Sequence, residues 1–510
     1  MTVRLVAILA IAFATVLGAA PQSWAQVPYG QQPPRLTPPD EVQGMWVSDD
    51  QQETEQPEML PGQQYTGMVD EGSLSPYTDG SFLDDGSGAV CSDDGGEYCE
   101  GDGEGCDPGA GYPGMFGGHG KRHGACGGLF CPGMDLWEDV HAHHRVYVQA
   151  DYLSMWAKGN YLPPLVTTSP PGTPQAQAGV LPVSATTSIL FGNDRVDTGQ
   201  RNGGRINVGY WLIDGEFLGI EGQYLALQTQ NTNFFAESNG DPILARPFTD
   251  FNPIHASPVQ NAALIAFNNY IPPGTQTPTN LSGSIDIRTV SNIQSANMTL
   301  RRLVWIDFTM QRRVDLLLGY RFFYLEDSVT IDDEFTIQPV GITPLTHFTG
   351  RDQFRSRNQF NGGEIGMKYQ SYHGPFQLEF IGKCAFGNNR ERTWINGSHT
   401  TQVNGGAIVE GAGNLLALPS NIGSYRRDVF AILPEADVNL RMNITCNLRL
   451  TAGYTFIYTN RVQRSGDAIS LNVNPTQING ALVGDAVPAF TANDTPFWVH
   501  GYNAGVEYRW

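Results

Sequence analysis

Cys91, Cys99, Cys106, Cys126 and Cys131 stand among Gly and Asp residues, with His119, His123, His141, His143 and His144 close by. Thiolate and imidazole are the ligands that zinc and copper prefer, so metal binding is the first chemistry to weigh. The intervals speak against it: 7, 6, 19 and 4 residues separate successive cysteines, and no C-x-x-C pair occurs. In an exported chain disulfides are the simpler fate, with one thiol left over. The surrounding "DDGSGAVCSDDGGEYCEGDGEGCD" lacks the positions of an EF-hand loop, which leaves a solvated acidic run. No metal and no cofactor is expected.

Catalytic patterns are missing as well. The chain has no G-x-S-x-G elbow, no P-loop and no H-E-x-x-H helix. His255, His347, His399 and His500 are scattered, with no spacing that selects partners. The expectation is a protein that is not an enzyme.

A third kind of chemistry is spread along residues 145–510 of the sequence. Acids (Asp151, Glu221, Asp315, Glu364, Glu379, Glu435, Asp437, Glu507) and bases (Arg205, Arg301, Arg321, Lys368, Lys383, Arg441, Arg449, Arg509) alternate with apolar residues at period two. Side chains on a strand alternate faces, so these charges share one side of each strand. Val148, Ala150 and Tyr152 alternate with Gln149 and Asp151, and Ile206, Val208 and Tyr210 with Arg205 and Asn207. Leu316, Leu318 and Tyr320 flank Asp315 and Arg321, and Val438 and Leu440 flank Asp437, Asn439 and Arg441. The final stretch, "GYNAGVEYRW", sets Tyr502, Val506, Tyr508 and Trp510 opposite Glu507 and Arg509.

Ten such strands are legible, starting near Val146, Arg205, Leu218, Ala296, Val314, Ile365, Phe376, Ala436, Leu448 and Gly501. Asp214-Gly215 supplies a two-residue hairpin signal between the second and third. The connections span roughly 46, 2, 63, 8, 32, 4, 43, 3 and 41 residues, long and short in strict alternation. Outer-membrane barrels have a reason for this, with short turns on the periplasmic side and long loops outside. The fold class expected is therefore all-β: an antiparallel up-and-down transmembrane β-barrel of about 10 strands, with 12 as the alternative count. Charges of both signs on the interior face can then pair across the lumen. Trp156, Tyr161, Tyr324, Tyr372, Tyr458, Trp498 and Trp510 suit the aromatic girdles at the lipid boundaries. Cys384 and Cys446 fall on the apolar parity, near opposite ends of the span, and are expected to be small apolar residues that do not pair.

Domain organisation follows from charge and composition. Residues 1–25, with Arg4 before "LVAILAIAFATVLGAA" and small residues at Ser23 and Ala25, have the form of a secretory signal peptide. Residues 26–144 hold 22 acids against Arg35, Lys121 and Arg122 and are rich in Gly, Pro and Gln, so disorder is expected there. Residues 145–510 hold 29 acids and 26 bases and contain every strand. No basic stripe suggests nucleic acid.

The stretches "ADYLSMWAKGNYLPPLVTTSP", "SILFGNDRVDTGQRNGGRINVGYWL", "LLLGYRFFYLED", "NQFNGGEIGMKY", "PEADVNLRMNITCNLRLTAGYTFIYTNRV" and the last strand resemble, in order and spacing, the putative beta-barrel porin family 7 of bacterial outer-membrane proteins. The resemblance implies an outer-membrane barrel from about Val146 to Trp510, with a transport role, and no catalytic residues. The expected function is a porin-like channel or transport barrel of low conductance. The alternative is a structural or adhesive surface barrel acting through loops of about 225 residues in total. Expected partners are outer-membrane lipid, the barrel-assembly machinery during insertion, and small hydrophilic solutes. Localisation would be the outer membrane, with the N-terminal segment in the periplasm.

The apolar parity ending on Trp510 gives the assembly signal expected of Tyr502, Val506, Tyr508 and Trp510. Deleting Trp510, or substituting Tyr508→Asp, should leave secretion intact and lower the folded, membrane-inserted fraction on heat-modifiable gels. A base at the lipid-facing midplane costs about 2–4 kcal/mol in such barrels and an acid less. Normal insertion without Trp510 would contradict the assignment.

Overall fold

Ten strands hydrogen-bond in a closed antiparallel circuit in the computed structural model, which describes residues 145–182, 187–213, 216–272, 277–309, 311–339, 345–478 and 480–510. They are β1 (Val146–Ala157), β2 (Arg201–Trp211), β3 (Leu218–Leu227), β4 (Thr279–Ile306) and β5 (Arg312–Pro339), then β6 (Thr346–His373), β7 (Phe376–Val403), β8 (Gly423–Asn443), β9 (Leu448–Val462) and β10 (Thr495–Arg509). Each pairs with its successor. β10 returns to β1, with Val506 opposite Ala150 and Ala504 opposite Tyr152. Closure leaves the ring without a free edge, which is what a strand protein needs in lipid. Among the described residues no helix is long and apolar enough to cross a membrane. The proposed signal peptide, the acidic segment with its five cysteines, and the Asp214-Gly215 turn lie outside the described residues.

The sheet as a whole holds seventeen strands, more than the sequence suggests. The surplus comes from the long connections, which are not structureless. Gln230–Ser238 extends the line of β3 along β4. Ile243–Asp250 and Val259–Tyr270 form a hairpin, joined by Val166–Ser169 and, in parallel, by Asn472–Val473. β4, β5, β6 and β7 each run 28 residues, about 95 Å at a rise of ~3.4 Å per residue, where about 10 residues cross lipid. The sequence assigns most of 323–364 to a loop, and the structure makes nearly all of it strand. On leaving lipid the outward face of β5 becomes Glu326, Ser328, Thr330 and Asp332 while Leu325, Val329 and Ile331 turn inward, so the polar–apolar alternation inverts while the pairing continues.

The long connections fold inwards. Ile243–Asp250 is buried at every position but one, as expected of a strand covered on both faces. Its Leu244 and Phe248 pack with Ile285, Val329, Ile331, Phe354 and Ile395 from the inner face of the four long strands, and with Leu416 and Leu418. Nearer the short turns a second apolar layer crosses the ring: Leu153, Met155, Leu225, Phe323, Phe360, Leu433, Ile457 and Phe497.

On the outer face the apolar parity is exposed as a lipid-facing surface should be, with Tyr152, Ile206, Leu318, Met367, Leu440 and Tyr502 among the exposed residues. Trp156, Trp498 and Tyr502 cluster round His500, the Trp498 ring centroid 4.9 Å from the imidazole. Tyr372 departs from its expected place in a girdle. It shares the inward parity of Lys368 and Gln370, and its hydroxyl donates to Gln370 Oε1 at 3.4 Å. Cys446 departs too, since it is disulfide-bonded and not a bare apolar filler; Cys384 is a free thiol, so the two do not pair.

Phe354, fully buried between wall and inward hairpin, reports on this packing. Phe354→Ala should cost about 3–5 kcal/mol and lower the thermal midpoint of the purified protein, while the ring still forms and remains heat-modifiable. An unchanged midpoint would mean that the hairpin does not pack there.

Candidate functional site in the barrel interior

All sixteen charges placed on the inward parity by the sequence have their side chains inside the ring, and most are almost completely buried. Burial of an ion costs several kcal/mol unless partners surround it. The strands supply those partners in layers.

Furthest from the short turns, Arg205 on β2 reaches Asp151 on β1 at 2.8 Å and Asp437 on β8 at 3.0 Å. Thr455 accepts from Arg205 and donates to Asp437. In the same layer Arg321 bridges Glu364 at 3.3 Å and Glu435 at 2.5 Å, and Lys383 meets Glu435 at 2.8 Å. One layer down, Lys368 on β6 meets Glu221 on β3 at 2.7 Å. Arg441 bridges Glu379 at 2.8 Å and Glu507 at 3.0 Å. At the turn end Arg301 pairs with Asp315 at 2.6 Å, Arg509 with Glu507 at 2.5 Å, and Arg449 stands 3.6 Å from Glu507. Arg205–Asp437, Arg321–Glu435 and Lys368–Glu221 join strands that are not neighbours and so cross the lumen, whereas Arg509–Glu507 lies within one strand.

Little space remains. A cavity of about 30 Å³ lies among Gln149, Arg205, Glu221, Lys368, Lys383 and Arg441, room for one or two waters. No group of His, Cys, Asp or Glu residues among those described could hold a metal ion.

Several interior groups escape the sequence reading. Arg313 meets Asp315 at 2.8 Å and Glu216 at 2.8 Å, and with Arg301 it stacks on the Trp211 ring. Arg313 has the parity of Asp315, so extending that strand by two residues would have found it. Glu216 lies beside the tight turn at φ +59° and carries no periodic signal. The inward hairpin brings a further lock. Arg246 donates to Asp333 at 2.6 Å and to Asp352 at 2.7 Å, and Asn414 donates to both carboxylates. The backbone amides of Leu416 and Ala417 complete the shell of Asp352. Burial pushes the Asp333 carboxyl above its usual range, with Arg246 drawing it back. Nothing in a loop sequence announces Arg246. By contrast Tyr502, Val506, Tyr508 and Trp510 are all exposed on the outer face.

Residues 147–510 match the family described as "Putative beta barrel porin-7". No curated protein matches. Among solved structures, the outer membrane protease OmpT from Escherichia coli is 10% identical, with 72% of this chain and 97% of that one covered and a TM-score of 0.31. A Pseudomonas aeruginosa FadL homologue is 7% identical, with 73% and 92% covered and a TM-score of 0.19. Similarity at these levels says nothing about activity.

Arg205→Met should leave the Asp151 and Asp437 carboxylates facing each other without a cation. Breaking such a buried group costs about 3–5 kcal/mol, so the thermal midpoint should fall. Adding Asp151→Asn and Asp437→Asn to the same chain should restore most of it, because the uncompensated charge is then gone. A triple variant no more stable than the single one would refute the pairing.

Proposed function

The chain belongs to the Putative beta barrel porin-7 family, and from that premise we propose an outer-membrane transport barrel that rests shut. One observation carries the proposal: the lumen is crossed by interlocked ion pairs around a cavity of about 30 Å³, with an apolar layer and inward-folded connections beyond. Ring size supports it, since eight strands just contain interior side chains and sixteen leave an aqueous channel. Small hydrophilic solutes would pass only when these contacts open. The interior then controls permeation; it does not catalyse. The short turns, the start of β1 and the end of β10 would face the periplasm, together with the N-terminal segment, after insertion by the barrel-assembly machinery.

A second reading, a structural barrel acting through its outer connections, is favoured by the dense packing of those connections over the lumen. Planar-bilayer recording separates the two. The purified protein should show small or intermittent conductance. Neutralising Glu379, Glu435 and Asp437 together should free Lys383 and leave Arg441, Arg321 and Arg205 with Glu507, Glu364 and Asp151 alone, raise the open probability and tilt selectivity towards anions. Steady wide-channel conductance in the unmodified protein would refute the shut barrel. Silence in every variant would favour the structural reading. Single cysteines at Asn280 and Ser398 should label from outside intact cells and one at His373 should not; equal labelling would overturn the orientation.

A further inference from the structure

The outer face carries an arrangement that the shut lumen does not explain. Glu326, Arg357, Arg392 and Arg426 lie directly opposite one another across β5, β6, β7 and β8. Three guanidinium groups thus stand side by side in one lateral row. Like charges directly opposite on neighbouring strands are destabilising. Arg355 and Arg390 lie beside the row, which makes five cations against the carboxylates of Glu326 and Asp428. Glu326 is taken by Arg355 at 2.5 Å and Arg357 at 2.8 Å. Asp428 serves Arg390 and Arg426 only at 3.4 and 3.5 Å, and it also accepts from Asn388 at 2.9 Å. Arg392, in the middle, meets no carboxylate among the described residues, and its Nε is covered without a hydrogen-bond partner.

The depth of the row says what could supply the missing anion. On β7 the outward residues from Phe376 to Phe386 are apolar or small, and polar ones begin at Asn388. Those ten residues rise about 34 Å along the strand, or roughly 25 Å at the usual tilt, which matches the apolar band of such barrels. On β8 the exposed Phe430 is the last outward apolar residue before Asp428 and Arg426. Trp394 lies just beyond the row, with Arg355 and Arg357 at 5.4 and 5.3 Å from its ring. The guanidinium row therefore lies on the headgroup side of the boundary, four residues above Phe430 and six above Phe386, about 10–15 Å at the usual tilt, a gap that long arginine side chains turned towards the bilayer narrow. Arginine forks bind phosphate oxygens in pairs.

We propose that Arg357, Arg392 and Arg426 form a binding site for the phosphate headgroup of an outer-leaflet lipid, its acyl chains lying on the apolar band below. The proposal rests on the barrel standing in lipid, and it is independent of whether the lumen conducts. The anion removes the repulsion within the row and gives Arg392 its partner.

The test is native mass spectrometry of the detergent-purified full chain, checked for folding by heat-modifiable migration, so that a failure to form a barrel is recognised separately. The probes are dioleoyl phosphatidic acid, dioleoyl phosphatidylcholine and inorganic phosphate. Phosphatidic acid should be retained about tenfold more tightly than phosphatidylcholine. Arg357→Gln/Arg392→Gln/Arg426→Gln should abolish that preference, whereas Arg288→Gln, which removes a cation paired with Asp286 elsewhere on the wall, should not. Arg392→Gln alone should weaken retention while holding or raising the thermal midpoint in neutral detergent, because it relieves like-charge repulsion. Equal retention by the triple variant, or a fall in the midpoint of Arg392→Gln, would overturn the proposal. Stabilisation by inorganic phosphate as strong as by the lipid would assign the row to a free ion and overturn the lipid site.

Discussion

A sheet of ten strands closed on itself has an interior that must be filled, and the filling here is ionic. An ion taken out of water costs several kcal/mol unless partners meet it at close range. Several inward guanidinium and ammonium groups therefore join strands that are not neighbours in the ring. Arg205 ties β2 to β8, Lys368 ties β6 to β3, and Arg441 ties β8 to β7 and β10. Backbone pairing sets neighbours; these ion pairs set the cross-section. The cavity among them holds about 30 Å³, so the contacts that set the cross-section also fill it.

Two further seals lie beyond the ionic layers. The apolar layer around Phe323 and Phe360 crosses the ring, and the inward hairpin fills the mouth formed by the long strands. Arg246 holds that hairpin to β5 and β6 through Asp333 and Asp352. Any opening would have to separate this lock, the apolar contacts and at least one interior ion pair together. The outward arginine row stands apart from all three, because its charges face lipid headgroups and not the lumen.

Much of the lipid-spanning half was legible in the sequence because lipid outside and charge inside enforce strict alternation. Asp315 and Arg321 were readable because Leu316, Leu318 and Tyr320 flank them. Where β5 to β7 leave lipid, the alternation inverts: Leu325, Val329 and Ile331 point inward and Glu326, Ser328 and Thr330 outward, so 323–339 breaks the apolar-out pattern although it is strand. Arg246, Asp333 and Asp352 come from distant segments, and only the inward fold of the hairpin brings them together. Tyr372 misled for a related reason: an aromatic near a strand end suits a girdle, and only its parity reveals that it points inward. The row of Arg357, Arg392 and Arg426 depends on register across three strands, which no single segment encodes.

The central claim, a lumen closed by fixed contacts, is tested most directly by the reactivity of a thiol placed inside it. Thr455 is fully buried between Arg205 and Asp437, and Asn404 lies exposed at a hairpin tip. In a chain whose seven native cysteines are serine, each position in turn would carry cysteine and meet a small charged methanethiosulfonate in the folded, membrane-inserted protein. The thiol at Thr455 should react at least about a hundredfold more slowly than the thiol at Asn404, since its exposure requires local opening that costs about 3 kcal/mol or more. Comparable rates at the two positions would contradict the closed interior.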